Sequence, residues 1–257
     1  MIVFKGEEMK AVLEKCQRAD FQYLSDVLDS YVSFTNDSKR KALLDIVENP
    51  QAKSELVTLV DQQIRYYGSA DLAYLKRVIA SEGDGGVSAE EVIEDVCAKL
   101  KVTLKHGGSN ELRLEKMVNA VVEKELLSKT PEELSAAFKK IGVGNADHDL
   151  IMEHLKSNGK AAVLPILLEV LGPKVAMGIV ETIIVALIAK FIGQKAAQQL
   201  VKELIKRNPW VNVLGPVIWV LSSLWLAYDL QGPAYRKTVP ICLYLGIVAL
   251  RDGEATA

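Results

Sequence analysis

From Pro209 to Tyr228 the chain runs twenty residues without a charged side chain. That length matches the ~20 apolar residues needed to cross a bilayer. Asn212, Ser222, Ser223 and the Gly215-Pro216 pair dilute the run. Three readings therefore stand side by side: a membrane span, a helix buried on all sides in a protein core, and reversible insertion at a membrane interface. Two neighbours share the character. Val175 to Ala189 is apolar except for Glu181, and Thr238 to Leu250 is apolar between Lys237 and Arg251. Both are shorter than a comfortable span, and a carboxylate at a bilayer centre costs ~2.5 kcal/mol or more. Glu181 reads either as a helix residue facing a polar partner or as a carboxylate inside a bundle.

Cations and tryptophans border these runs. Lys202, Lys206 and Arg207 stand just before Trp210, and Arg236 and Lys237 precede the last apolar stretch. Such neighbours suit a bilayer interface, where indole lies among headgroups and long cationic side chains reach phosphate. Lysine and arginine also favour helix C-termini without any membrane. Trp219 and Trp225, six residues apart, do not share a helix face, so at least one is expected in a core. We take Lys202, Lys206, Arg207, Trp210, Trp219 and Trp225 as the expected membrane or partner contacts.

Gly215-Pro216-Val217-Ile218-Trp219, Leu224-Trp225, the stretch Asp229 to Pro240 containing Gly232-Pro233-Ala234-Tyr235-Arg236 and Thr238, and the closing Ala249-Leu250-Arg251 resemble, in order, the C-terminal signature of the YaaW-like family. Upstream, Tyr66-Tyr67-Gly68-Ser69-Ala70-Asp71-Leu72 and Val92 to Val102, with Asp95, Val96, Lys99 and Leu100, resemble its middle segment. Bacterial members usually carry a double glycine and an Asn or Ser where this chain has Gly68 to Asp71. The middle segment is also distantly similar to the ubiquinol-cytochrome c chaperone family. Together the matches span about Asp20 to Arg251. The resemblance implies a helical bacterial protein, and some relatives with this domain act in antiphage immunity as sensors of early infection by nucleus-forming jumbo phages. Such a sensor finds the early infection site and recruits a second effector protein. Within the motif, Gly68, Gly215, Pro216, Gly232, Pro233, Ala234, Tyr235, Arg236, Thr238, Pro240 and Arg251 are expected to be structural. Arg236 is expected to pair with Asp229 or Glu181 and fix the angle between the last helices.

Apolar residues make up 49% of the 257, enough for a substantial core. Residues 1 to 160 carry 22 Lys/Arg against 27 Asp/Glu, and the remainder 9 against 6. An acidic front half and a mildly basic back half follow, without the basicity of a nucleic-acid binder. Cys16, Cys97 and Cys242 lie far apart and form no CxxC pair, which favours reduced thiols in the cytoplasm. The N-terminal Met1 to Glu8 shows no signal-peptide pattern, so secretion is not expected.

The front half reads as amphipathic helices. Met9, Val12, Leu13 and Cys16 fit the i, i+3, i+4, i+7 pattern, as do Leu24, Val27, Leu28 and Tyr31. Asp20 is placed to cap the second helix, and Asn36 to Ser38 a third that Asn49-Pro50 stops. Leu56, Val57, Val60 and Ile64 mark the next, with Gly68 at an expected left-handed C-cap. Leu72 to Ile79 continue the period until Gly83 to Gly86 break it. Ser88 with Glu91 opens a helix through Leu100, another runs from Asn110 to Ser128, and Thr130-Pro131 starts one that Gly142 and Gly144 end. Six of the eight prolines follow Gly159, with Gly172-Pro173, Gly215-Pro216 and Gly232-Pro233 punctuating helices. No sustained period of two appears, so the expected fold is an all-α multi-helix bundle. Its expected division is an acidic amphipathic region, 1 to 158, and a hydrophobic region, 159 to 257.

Chemistry-bearing patterns are sparse. The Gly83 to Gly86 loop lacks phosphate-loop spacing, and His106 beside two glycines reads as a loop residue. Asp147-His148-Asp149 with Glu153-His154 concentrates acids and histidines, yet His148 and His154 are i, i+6 and do not form a two-histidine metal pair. Asp149 and Glu153 share a face, though acids at a helix start also favour its dipole. No serine lies in GxSxG, the histidines do not suggest a triad, and no nucleotide or flavin fingerprint is present. The expectation is a protein that is no enzyme and needs no cofactor or metal. The resemblance implies a cytoplasmic antiphage sensor, expected to gather at the inner membrane or where the phage enters and to meet a phage component or lipid surface and an effector partner, with oligomerisation left open. Alternatives are an integral or membrane-perturbing protein, and an assembly chaperone.

Overall fold

The computed structural model describes residues 9–29, 36–68, 86–104, 107–140, 144–157, 163–192, 200, 202 and 235–251. Eleven helices and no strand occur among these described residues, so the fold is all-α. They are α1 (Lys10–Glu14), α2 (Arg18–Leu28), α3 (Asp37–Asp45), α4 (Pro50–Gly68), α5 (Ala89–Leu100), α6 (Asn110–Leu127), α7 (Pro131–Lys140), α8 (Asn145–Ser157), α9 (Val163–Leu171), α10 (Pro173–Ile192) and α11 (Tyr235–Arg251).

Local chemistry sets many of the boundaries. The Ser88 hydroxyl accepts the Glu91 amide at 3.2 Å and starts α5, and Thr130 and Glu133 close a reciprocal capping box before Pro131. Asn49 accepts from the amides of Gln51 and Ala52, so it caps α4 and does not simply end α3. Asn36, before α3, is left-handed at φ 57°, a conformation asparagine tolerates. Gly172 closes α9 at φ 77° and Pro173 opens α10, the division of labour expected of that pair.

Two compact units form. One comprises Met1–Glu115 with Leu230–Ala249, the other Lys116–Asp229 with Leu250–Ala257. In the first, α1, α2 and α3 pack on α4, and α4 packs on α5. The apolar stripes of the front half, among them Leu13, Leu24, Leu56, Ile64, Ile93 and Leu100, are buried there. So is α11 from Thr238 to Ala249, which explains a helix apolar around its whole circumference. The domain change expected at 158 to 160 lies outside the described residues. In the second unit α7 packs on α8, α8 on α9, and α9 on α10.

Gly68 departs from its expected role. It ends α4 without a left-handed φ, and its hydrogen is demanded by packing: a Cβ there would stand 2.6 Å from Val92 Cγ2 and 2.9 Å from Val87 Cγ2. Valine is stiff about χ1 and cannot swing away. Gly68→Ala is therefore expected to lower stability by about 1–2 kcal/mol, overpacking outweighing the gain in helix propensity. A urea titration showing equal or higher stability would contradict the packing argument.

Candidate functional site around the last helix

The first turn of α11 carries Tyr235, Arg236 and Lys237. Lys237 Nζ donates to the carbonyl oxygens of Leu28 at 2.8 Å and Asp29 at 2.6 Å, where α2 ends with unpaired carbonyls and the negative end of its dipole. The same ammonium stands 4.2 Å from the centroid of the Tyr67 ring, whose hydroxyl also donates to Leu28 O at 3.4 Å. One cation thus ties the ends of α2 and α4 to the start of α11. Beside it, Lys99 of α5 lies over the Tyr235 ring at 4.7 Å. Arg236 is exposed, whereas Thr238 and Pro240 are buried.

Burial pushes the Lys237 ammonium down to about 8, with Asp37 opposing and Arg40 reinforcing the shift. Its folded-state value is depressed below the ordinary 10.5. Between those two pH values the unfolded chain holds more protons, so stability is expected to rise with pH across that window. Denaturation midpoints taken from pH 7.5 to 10.5 check this, and Lys237→Met is expected to flatten the rise.

Beneath Lys237 lies Arg40, fully buried, with every guanidinium N–H in use. Nε donates to Ser25 Oγ at 3.0 Å, Nη1 to Asp37 Oδ1 and Gln63 Oε1 at 2.7 Å each, and Nη2 to Ser25 O at 3.1 Å and Asp29 Oδ1 at 2.6 Å. Asp29 also takes Lys41 on its second oxygen at 2.8 Å. Arg40 and Lys237 therefore meet at Asp29, one through its side chain and the other through its backbone.

Further along α11, the Tyr244 hydroxyl donates to buried Asp20 Oδ1 at 2.6 Å, while Asp20 Oδ2 accepts the Gln17 amide at 2.8 Å. Asp20 is thus the third residue of α2, closing back on the N-cap Gln17, and not the N-cap expected from sequence. Tyr23 stacks on Tyr244 with centroids 4.2 Å apart and donates to the Pro240 carbonyl at 3.3 Å. Burial, then the neighbouring Tyr244, raises the Tyr23 phenol well above its ordinary range. The three cysteines form no disulfide and are buried. Burial pushes the Cys97 thiol up to about 11 and the Cys242 thiol higher still, which disfavours the reactive thiolate.

The second unit holds three polar groupings. Glu181, buried in the middle of α10, accepts from Arg251 Nε at 3.0 Å. The cation that meets Glu181 is therefore Arg251 at the end of α11, in place of the Arg236 expected from sequence. Glu125 faces Lys129 at 3.6 Å; burial raises its carboxyl, while burial lowers the Lys190 ammonium that Glu125 partly holds up. Ser135 of α7 meets His148 of α8 at 2.6 Å, and His148 Nδ1 meets Asp149 at 3.1 Å. Sequence spacing concealed this contact because the serine and histidine lie thirteen residues apart on separate helices. Among the described residues no group of three or more His, Cys, Asp or Glu side chains is arranged to hold a metal ion.

Of the expected contact residues, Lys202 is described and exposed. Lys206, Arg207, Trp210, Trp219 and Trp225 lie outside the described residues, as do Gly215, Pro216, Gly232, Pro233 and Ala234, the whole run 209 to 228, the stretch Leu72 to Ile79, His106 and Gly142. The motif residues that are described, Gly68, Tyr235, Arg236, Thr238 and Pro240, belong to the first unit, and Arg251 belongs to the second.

No protein-family model matches the chain, and no solved structure matches it. Curated relatives do. A "UPF0174 protein" of Helicobacter pylori strain J99 is 26% identical over 196 residues, covering 76% of this chain and 72% of its own length. A "UPF0174 protein" of strain 26695 is 23% identical over 192 residues, covering 75% of this chain and 87% of its own. The chain is thus similar, over about three quarters of its length, to proteins whose name carries no activity.

Proposed function

We propose that the chain is a binding protein of antiphage defence, which senses an early stage of infection and recruits an effector protein without itself turning over a substrate. The observation that supports this reading is the convergence of the YaaW-like motif segments. Three separate stretches meet in the first unit: Gly68 packs against Val92, Lys99 lies over Tyr235 and Lys237 lies over Tyr67, while Thr238 and Pro240 are buried. These side chains are engaged in packing and cation–π contacts within the unit. The motif then serves as a framework, and recognition falls to exposed Lys202 and to Lys206, Arg207 and Trp210, which follow it in the sequence.

The test is fluorescence localisation of the tagged full-length protein before and minutes after infection. Redistribution to infection sites, lost when Lys206, Arg207 and Trp210 are replaced by alanine, is the expected result. An unchanged distribution on infection would overturn the sensing role.

Membrane association is a second reading, favoured by α10. Pro173–Ile192 is long and apolar enough to cross a membrane by length and composition, although 72% of its most apolar window is buried within the protein. The ion pair of Glu181 with Arg251 favours a core helix over a span. Release by carbonate extraction supports peripheral attachment, and retention in the membrane pellet supports spanning.

A further inference from the structure

The contact of Ser135 with His148 goes beyond the sensing role and does not rest on it. Ser135 stands half-buried in the second turn of α7, and His148 is buried at the end of the first turn of α8. The two are brought together because α7 packs on α8 across the short connection 141–144. Ser135 Oγ lies 2.6 Å from His148 Nε2, and His148 Nδ1 lies 3.1 Å from Asp149 Oδ1.

An ionised carboxylate only accepts hydrogen bonds, so the Asp149 contact assigns the imidazole proton to Nδ1. The lone pair of Nε2 then faces the serine hydroxyl. Nucleophile, base and orienting carboxylate follow in the order that activates a serine. Asp149 is an open member of the chain at 81% side-chain exposure, which makes it a positioning residue that can be altered without disturbing the core.

We propose that Ser135 is an acyl-accepting nucleophile, taking the acyl group of a small activated ester or thioester. Ser135 Oγ attacks the carbonyl carbon while its proton passes to His148 Nε2. The bond to the leaving oxygen or sulfur breaks, and the same proton goes from Nε2 to that leaving group. The products are acyl-Ser135 and one alcohol or thiol, with no oxidant or reductant required. Asp149 stabilises the imidazolium formed between the two proton transfers.

The test treats the full chain with a fluorophosphonate probe and, separately, with a small nitrophenyl ester, and maps adducts by mass spectrometry. A single adduct at Ser135 is expected, absent in Ser135→Ala. Asp149→Asn is expected to slow labelling about tenfold or more with an unchanged melting temperature, and Asp149→Glu to recover part of the rate. His148→Gln, which keeps a polar side chain in the buried position, is expected to abolish labelling. Labelling of the folded protein by neither probe above the urea-unfolded level would overturn the proposal, as would equal rates in Asp149→Asn and the parent chain.

Discussion

Arg40→Met is expected to lower the unfolding free energy by about 3–5 kcal/mol, the largest loss from any single substitution considered for the first unit. The guanidinium is wholly buried and satisfies five acceptors on α2, α3 and α4 and the residue following α2. Removing it takes the buried cation from Asp37 and Asp29 and one donor each from Ser25 O and Gln63 Oε1, although Asp29 keeps Lys41 and Ser25 O keeps the Asp29 amide. Arg40→Lys is expected to recover only part of the loss, because an ammonium has three donors and no planar fork. Urea titration with an unchanged slope checks both values. A loss below 1 kcal/mol would show that the network is cosmetic.

Arg251→Leu is expected to cost about 2–3 kcal/mol, somewhat below a fully buried pair because the arginine retains partial exposure. The penalty arises from Glu181, left buried among the apolar side chains of α10 with its ion pair broken. Glu181→Leu combined with Arg251→Leu is expected to recover most of that cost, since the double change removes the buried charge together with its partner. A double-mutant cycle in chemical denaturation reads the coupling directly. Additive single effects would contradict the pairing.

Helix identity was legible in the sequence wherever a short-range rule decides it. Ser88 with Glu91 and Thr130 with Pro131 and Glu133 announce helix starts through contacts three residues apart, and the structure has both. The stripes Leu56 to Ile64 and Val92 to Leu100 likewise face a core. Arg40 was not legible. It sits in Lys39-Arg40-Lys41, a charge run that reads as a solvated face, and its burial depends on acceptors from two other segments, the end of α2 with Asp29 and α4. Gly68 was read through its own dihedral, but Val87 and Val92, about twenty residues on, decide it. The partner of Glu181 is seventy residues away, and no periodicity distinguishes Arg251 from Arg236 at that range. Ser135 and His148 were missed for the same reason, since a hydrogen bond between two helices leaves no spacing rule behind.

The central claim is that α11, far along the chain, is part of the core built by the front helices, held there by Lys237, Tyr244 and Pro240. Native-state hydrogen exchange of the full chain, resolved to peptides, tests it most directly. The amides of 241–248 are expected to open with the same free energy as those of 21–28 and 56–65, and to lose protection together with them in Arg40→Met. Rapid exchange of 241–248 while 21–28 and 56–65 stay protected would contradict the account.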